Sequence, residues 1–405
     1  MKEGSINSQK SRYDVFGRVG APAGIFRFNL LTRSPTIQIK CLPLRLVINH
    51  IKLLRLKRTL IPLLCGILIA GTVVAQEHDK PSVDLIIEAR GDYQRDYVDG
   101  QSIKDNSGFK GQFLNLIVKS KLNRHFSFFF RHRMNQTNFD ANFFDATDWL
   151  EITYAPTSRL TIAGGKEGIA IGGYEYDRVP IDLYFCSEFW NAVPCYAWGA
   201  TVGYKLSDND QLSFQFCESP FRGFYKNADM YAYNLFWTGT HSLWSTIWSV
   251  NMIEWRQGRF INYIALGNEF RLGPKFTLQL DYMNRASSGQ KFFKDCSVIG
   301  ELTYRPINRL HLTAKCAYDV NRSGTDHDLL VHNGTELTRV GAVVEYLPPV
   351  RNFDIRLHAA YCYSWGTNTN PDGFTQDRQS FFTLGATWKL NITDLFRKSS
   401  KKSEI

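Results

Sequence analysis

From about residue 82 onward, apolar and polar side chains alternate with a period of two in one segment after another. A helix repeats its faces every 3.6 residues and cannot use such a pattern, whereas a strand with hydrocarbon on one side and water on the other requires it. In 275–285, Phe276, Leu278, Leu280 and Tyr282 take one parity and Lys275, Thr277, Gln279, Asp281 and Arg285 the other. In 309–319, Leu310, Leu312, Ala314, Cys316 and Tyr318 oppose Arg309, His311, Thr313, Lys315 and Asp319. Marking every such segment predicts sixteen strands, near 82–94, 109–122, 125–135, 147–155, 159–170, 194–206, 211–218, 229–238, 242–253, 259–271, 275–286, 295–305, 309–320, 336–347, 353–364 and 379–392. Short turns and longer connections then alternate, as expected of a transmembrane antiparallel β-barrel with tight turns on the periplasmic side and long loops outside. Tyr154, Tyr204, Phe270, Tyr304 and Tyr346 each precede a short turn on the apolar parity, where an aromatic girdle belongs. A soluble β-sandwich also alternates, but has no reason to keep short and long connections in strict succession.

The formal charge of +10 would invite a nucleic-acid partner if it lay on a folded face. It does not. Residues 1–75 hold 12 Lys/Arg and 2 Asp/Glu, which leaves 48 − 12 = 36 basic and 38 − 2 = 36 acidic residues beyond them. The leader contains Lys52, Arg55, Lys57 and Arg58, an apolar run from Leu60 to Ala70, and Val73 and Ala75 at the positions that suit cleavage. Residues 51–75 are therefore expected to be a signal peptide cut near Ala75. Residues 1–50 exceed a normal signal and suggest a true start downstream of Met1. The barrel domain is expected over 76–395 and a basic periplasmic tail over 396–405. Past residue 75 no apolar run approaches the roughly 20 residues of a spanning helix.

Candidate functional residues follow from this layout. The connection 171–193 is the longest, and its Glu175, Asp177, Arg178, Asp182 and Glu188 would set size and charge selectivity if it folds inward as a constriction; an external lid is the alternative. Pairing Leu122 with His125 is expected to put Lys119, Lys121, Arg131 and Arg133 on the lumen side, with Arg131 roughly 10 Å beyond Lys119, a stepped path for anions. Asp84, Glu88, Glu151, Asp281 and Glu301 point inward by the same parity, so a salt-bridged wall of little selectivity is the competing reading. At Gly164-Gly165 the apolar parity switches between Ile162 and Ile169, and a bulge there would turn Lys166 into the lumen. Cys186 and Cys195 are close enough for a loop disulfide, with free thiols the alternative. Asp326, His327, Asp328 and His332 are weak candidates for a divalent metal, and a solvated loop suits them better. The nine histidines accompany no nucleophile motif, so neither catalysis nor a cofactor is expected.

Leu160-Thr161-Ile162-Ala163-Gly164-Gly165-Lys166, followed by Tyr174-Glu175, resembles the strand, Gly-Lys and downstream acid of the phosphate-selective porin O and P family, although the proline after the lysine is missing. The resemblance covers most of 76–392 and implies a sixteen-stranded, trimeric, anion-conducting outer-membrane barrel of a Gram-negative bacterium with an inward third loop. The expected function is passive diffusion of small hydrophilic solutes, with an anion or phosphate preference. A non-conducting structural or adhesive barrel and an outer-membrane hydrolase are the alternatives. Expected partners are outer-membrane lipid, the permeating solutes, a homotrimer, and the barrel-assembly machinery, which would recognise the last strand through Phe382, Leu384, Ala386, Trp388 and Leu390.

Overall fold

The computed structural model describes residues 81–136, 142–225, 229–287, 289–350, 354–371, 375 and 377–395. The leader, the expected cleavage site and the basic tail lie outside them. Sixteen strands form one closed antiparallel barrel. They are β1 (Ser82–Val98), β2 (Gln101–Lys121), β3 (Phe126–Arg133), β4 (Thr147–Tyr154), β5 (Leu160–Gly168), β6 (Tyr196–Lys205), β7 (Asp210–Glu218) and β8 (Tyr231–Thr240). They continue as β9 (Trp244–Arg256), β10 (Arg259–Leu272), β11 (Phe276–Ser287), β12 (Asp295–Ile307), β13 (Leu310–Asn321), β14 (Glu336–Tyr346), β15 (Asp354–Thr367) and β16 (Arg378–Asn391). Each strand pairs with its sequence neighbours, and β1 with β16 completes the ring through thirteen paired positions from Ile86–Asn391 to Val98–Gln379. All sixteen predicted segments correspond to these strands. No helix among the described residues is long and apolar enough to cross a membrane.

Cross-strand partners share a face, so the ladders sort the side chains into two sets. One circumferential row runs Gln279–Glu301–Lys315–Gly341 and is polar or small. The next runs Leu280–Gly300–Cys316–Val340 and is apolar. The apolar set faces outward: Phe276, Leu280, Val298, Leu302, Val344, Leu357 and Leu384 are all exposed. Tyr154, Tyr204 and Tyr346 stand exposed at the end where the short turns lie, and Tyr304 stacks on Phe276 at 4.5 Å there.

Two connections expected to be long are tight. β1 and β2 continue as a tall hairpin closed by Asp99-Gly100, both at positive φ (50° and 76°), the geometry that Asp-Gly favours in two-residue turns. β9 and β10 are likewise joined by Gln257-Gly258 alone, with Gly258 at φ 69°. In both places the strands continue beyond the alternating segments, because alternation loses its contrast where the outward face is no longer uniformly apolar.

Leu280, 43% exposed on the outer face near the middle of β11, probes this assignment. Leu280→Arg is expected to cost about 2–4 kcal/mol in denaturant unfolding from lipid vesicles, whereas a cost near zero would place the residue in water.

Candidate functional site: the lumen and its inward loop

The connection after β5 spans 169–195 and folds into the barrel. Ile169 and Ile171 belong to it and not to a strand, which accounts for the parity change seen in the sequence. They pack with Phe189, Val193, Leu330 and Val331 against Tyr263, Ala265 and Ile253 of the wall. Leu330 and Val331 come from the connection between β13 and β14, so two loops share one apolar core within the lumen. Each large side chain fully withdrawn from water there contributes on the order of 1.5–3 kcal/mol.

Polar contacts fix the rest of the loop. The short helix α1 (Tyr174–Asp177) presents the backbone N–H groups of Tyr174 and Glu175 to the Asp281 carboxylate of β11, at 2.9 and 2.7 Å. The Glu175 side chain meets the Lys315 ammonium of β13 at 2.7 Å and accepts hydrogen bonds from the backbone and hydroxyl of Ser187. Arg178 pairs with Glu301 at 2.7 Å and also donates to Gln279. Asp182 pairs with Arg356, and the Tyr184 hydroxyl donates to Glu345. Arg90 of β1 donates to the Leu183 carbonyl at 2.6 Å with its guanidinium 4.4 Å from the Tyr184 ring centre. The helix α2 (Glu188–Ala192) starts at the Asp319 carboxylate, which accepts from Glu188 N–H at 2.7 Å, and Glu188 itself, fully buried, faces Arg339 at 3.8 Å. With Ala170 N–H donating to Gln215 of β7 at 2.8 Å, the anchoring arc runs from β7 to β15 and on to β1.

Two wall glycines make room for this seat. A Cβ on Gly267 would stand 2.7 Å from Gly173 Cα, and one on Gly341 would stand 2.6 Å from Phe185 Cζ. Gly385 plays a related part between β1 and β15, where the absence of a side chain lets Asp92 reach the His358 imidazole at 2.9 Å across the intervening strand.

The expected anion path is altered by these ladders. Lys119 faces Phe129 and Lys121 faces Ser127, a register one residue away from the Leu122–His125 pairing, and it is this register that puts all four cations on one face. Arg131 then lies two residues, about 7 Å, beyond the partner of Lys119. Arg131 and Arg133 are each only 5% exposed and share Asp148, at 3.2 and 2.7 Å, with Arg131 also against the Trp149 and Tyr196 rings. They are a compensated cluster and not free rungs. Lys119 and Lys121 remain exposed. Lys166 is not in the lumen: no register shift occurs at Gly164-Gly165, so Lys166 stands opposite Leu150 and Trp198 on the outer face and donates to the Phe144 carbonyl at 2.7 Å.

Of the loop carboxylates and cations singled out in the sequence, Asp177 alone is exposed, while Glu175, Arg178, Asp182 and Glu188 are engaged with the wall. Their partners Lys315, Asp319, Arg339 and Glu345 carried no signal beyond lumen parity. Cys186 and Cys195 are free thiols in separate clusters. Asp328 accepts from Leu330 and Val331 N–H and pairs with Arg285 at 2.7 Å, and His327 stacks on Trp255. No group of metal-ligating side chains occurs among the described residues.

Burial acts to raise the Glu175 carboxyl, but the Lys315 ammonium and the Ser187 hydrogen bonds outweigh it and hold the carboxyl below its usual range. A carboxylate of this kind stabilises the seat fully above its ordinary pKa and loses that contribution as the pH falls through the lowered value. The loop is therefore expected to loosen only in strongly acidic solution, followed by proteolysis within 176–182. Lys315→Met leaves a buried carboxylate without its counter-charge and is expected to cost about 3–5 kcal/mol, releasing the loop at neutral pH; unchanged protease resistance would contradict the seat.

Solved structures with the same fold include the outer-membrane channel DcaP of Acinetobacter baumannii (TM-score 0.54, 12% identity, 78% of this chain and 99% of that one). An anion-selective porin from Comamonas acidovorans is similarly related (TM-score 0.54, 10% identity, 76% and 100%). So is OmpT, an outer-membrane protein of Vibrio cholerae (TM-score 0.52, 14% identity, 78% and 100%). No curated protein sequence matches the chain. The sequence model described as phosphate-selective porin O and P matches residues 84–243, which take in β1 through β8 and the inward loop. The closed sixteen-strand barrel is thus the fold of these outer-membrane channels, and over residues 84–243 the chain is similar to the phosphate-selective porin O and P family.

Proposed function

We propose that this porin passes small hydrophilic solutes along the part of the lumen bordered by β2 to β5, with weak charge preference. The observation that carries the reading is the one-sided seat of the inward loop. Its polar anchors lie on the arc from β7, where Gln215 accepts from Ala170 N–H, round to β1, and the lumen side chains Lys119, Phe129, Glu151 and Thr153 of β2 to β4 keep contact with solvent. Their charges are largely internal: Glu151 accepts from Trp149 Nε1 and Thr153 Oγ1, and Arg131 and Arg133 share Asp148. Two guanidiniums on one carboxylate leave a single positive excess, to which Lys119 and Lys121 add and from which the Glu151 carboxylate subtracts. A modest anion preference follows, and a steep one does not.

The family likeness over 84–243 and the barrel fold support an outer-membrane location and a channel rather than an enzyme. Around that, signal cleavage near Ala75 would deliver the chain to the periplasm, and the outward row Phe382–Trp388 of β16 would present the assembly machinery with its last strand. The homotrimer fits the same reading, since a Vibrio cholerae relative is described in a trimer form.

Single-channel recording tests this. Deleting 176–190 is expected to raise conductance, and an unchanged value would remove the loop from the path. Reversal potentials in a potassium chloride gradient are expected to show chloride favoured only a few-fold, and ideal selectivity for either ion would contradict the compensated wall.

A further inference from the structure

Between the inward loop and the turn end of the barrel the lumen wall contains a recess of about 220 Å³. Its lining combines charged groups with an apolar back formed by Leu183, Phe185 and Val343. Most of its charges answer one another. Arg178 holds Glu301, Arg356 lies between Asp182 and Glu345, and Lys315 is taken by Glu175 from behind. His311 faces Glu345 at 3.7 Å. Arg305 is the exception. Its guanidinium donates to the Thr277 hydroxyl at 2.8 Å, and among the described residues no carboxylate lies within ion-pair distance of it. The hydroxyls of Thr303 and Thr313 also line the recess and bond to each other at 3.1 Å.

A concave site with one uncompensated guanidinium at its edge and apolar side chains behind has a definite complement. The solute must bring a single negative charge for the fork of donors and a compact body that gains from leaving water. An inorganic anion would use the guanidinium and leave the apolar back wet. A dianion would meet Glu301 and Glu345 with its second charge. We propose that this recess binds small organic monocarboxylates, the carboxylate on Arg305 and the body against Leu183, Phe185 and Val343. The proposal rests on the porin reading, because it makes the recess a station on the solute's way through the lumen. Bound solute would sit under the loop beside the Arg178–Glu301 pair, to the side of the passage bordered by β2 to β5.

Benzoate, inorganic phosphate and benzyl alcohol serve as probes against the full barrel in detergent, with binding followed by titration calorimetry and conductance measured on the same preparation. Benzoate is expected to bind more tightly than either of the others, since only it offers both charge and body. Arg305→Gln is expected to weaken benzoate at least about tenfold, the size of a lost charge-assisted hydrogen bond, while Lys205→Gln at the same end of the barrel leaves it unchanged. Phosphate binding as tightly as benzoate would overturn the proposal by showing a simple ion site. Equal benzoate affinity in the Arg305 and Lys205 variants would overturn it too, as would a conducting wild type that binds no benzoate. Benzoate binding without any conductance would leave the recess standing and refute the channel reading alone.

Discussion

Hydrocarbon offers no partner to a backbone N–H or C=O, and each one left unbonded there costs several kcal/mol. Closing sixteen strands into a ring satisfies all of them with no free edge across the membrane, and everything else in the protein is arranged around that closure. It forces alternate side chains outward and inward. The outward row Leu280–Gly300–Cys316–Val340 can carry little but apolar groups, while the inward row Gln279–Glu301–Lys315–Gly341 is free to hold charge.

That freedom is used mainly to seat the inward loop. Charges on the wall meet charges or backbone dipoles on the loop, as at Lys315–Glu175, Arg178–Glu301 and Asp319 with the start of α2. Once a wall charge is spent in this way it is withdrawn from the field a permeating ion feels. The lumen is therefore rich in ionisable residues and yet nearly balanced, and counting cations along the strands overstates the selectivity. Small residues matter as much as charged ones, because Gly267 and Gly341 set how closely the loop approaches the wall.

The strands were legible because lipid imposes alternation on every one of them; even β8 to β10, where the pattern is imperfect, end within a few residues of where the sequence placed them. The hairpin above β1 and β2 was not legible, since both of its faces are polar. In the third loop the inward course could be expected from its length, but not the wall residues that hold it. Glu175 and Lys315 are 140 positions apart in sequence, and only the closed ring brings them together. Lys166 illustrates the opposite error. A parity change in the sequence suggested a bulge, whereas β5 simply ends at Gly168 and the apolar residues after it belong to the core of the loop. Arg131 and Arg133 share the Lys119 face, but Asp148 was not seen beside them because it shares the outward parity of Leu150, and only the register shift between Arg131 and His132 turns it inward.

The one-sided lumen can be tested by thiol modification of single cysteines in a background without the native ones. Thr153→Cys lies on β4 beside the proposed passage, and Ser249→Cys lies on β9 behind the loop, where Ser249 accepts from Gly172 N–H at 2.8 Å. A bulky water-soluble methanethiosulfonate should cut the current through the first and leave the second untouched. Block at Ser249→Cys with none at Thr153→Cys would mean that solutes travel on the other side of the loop.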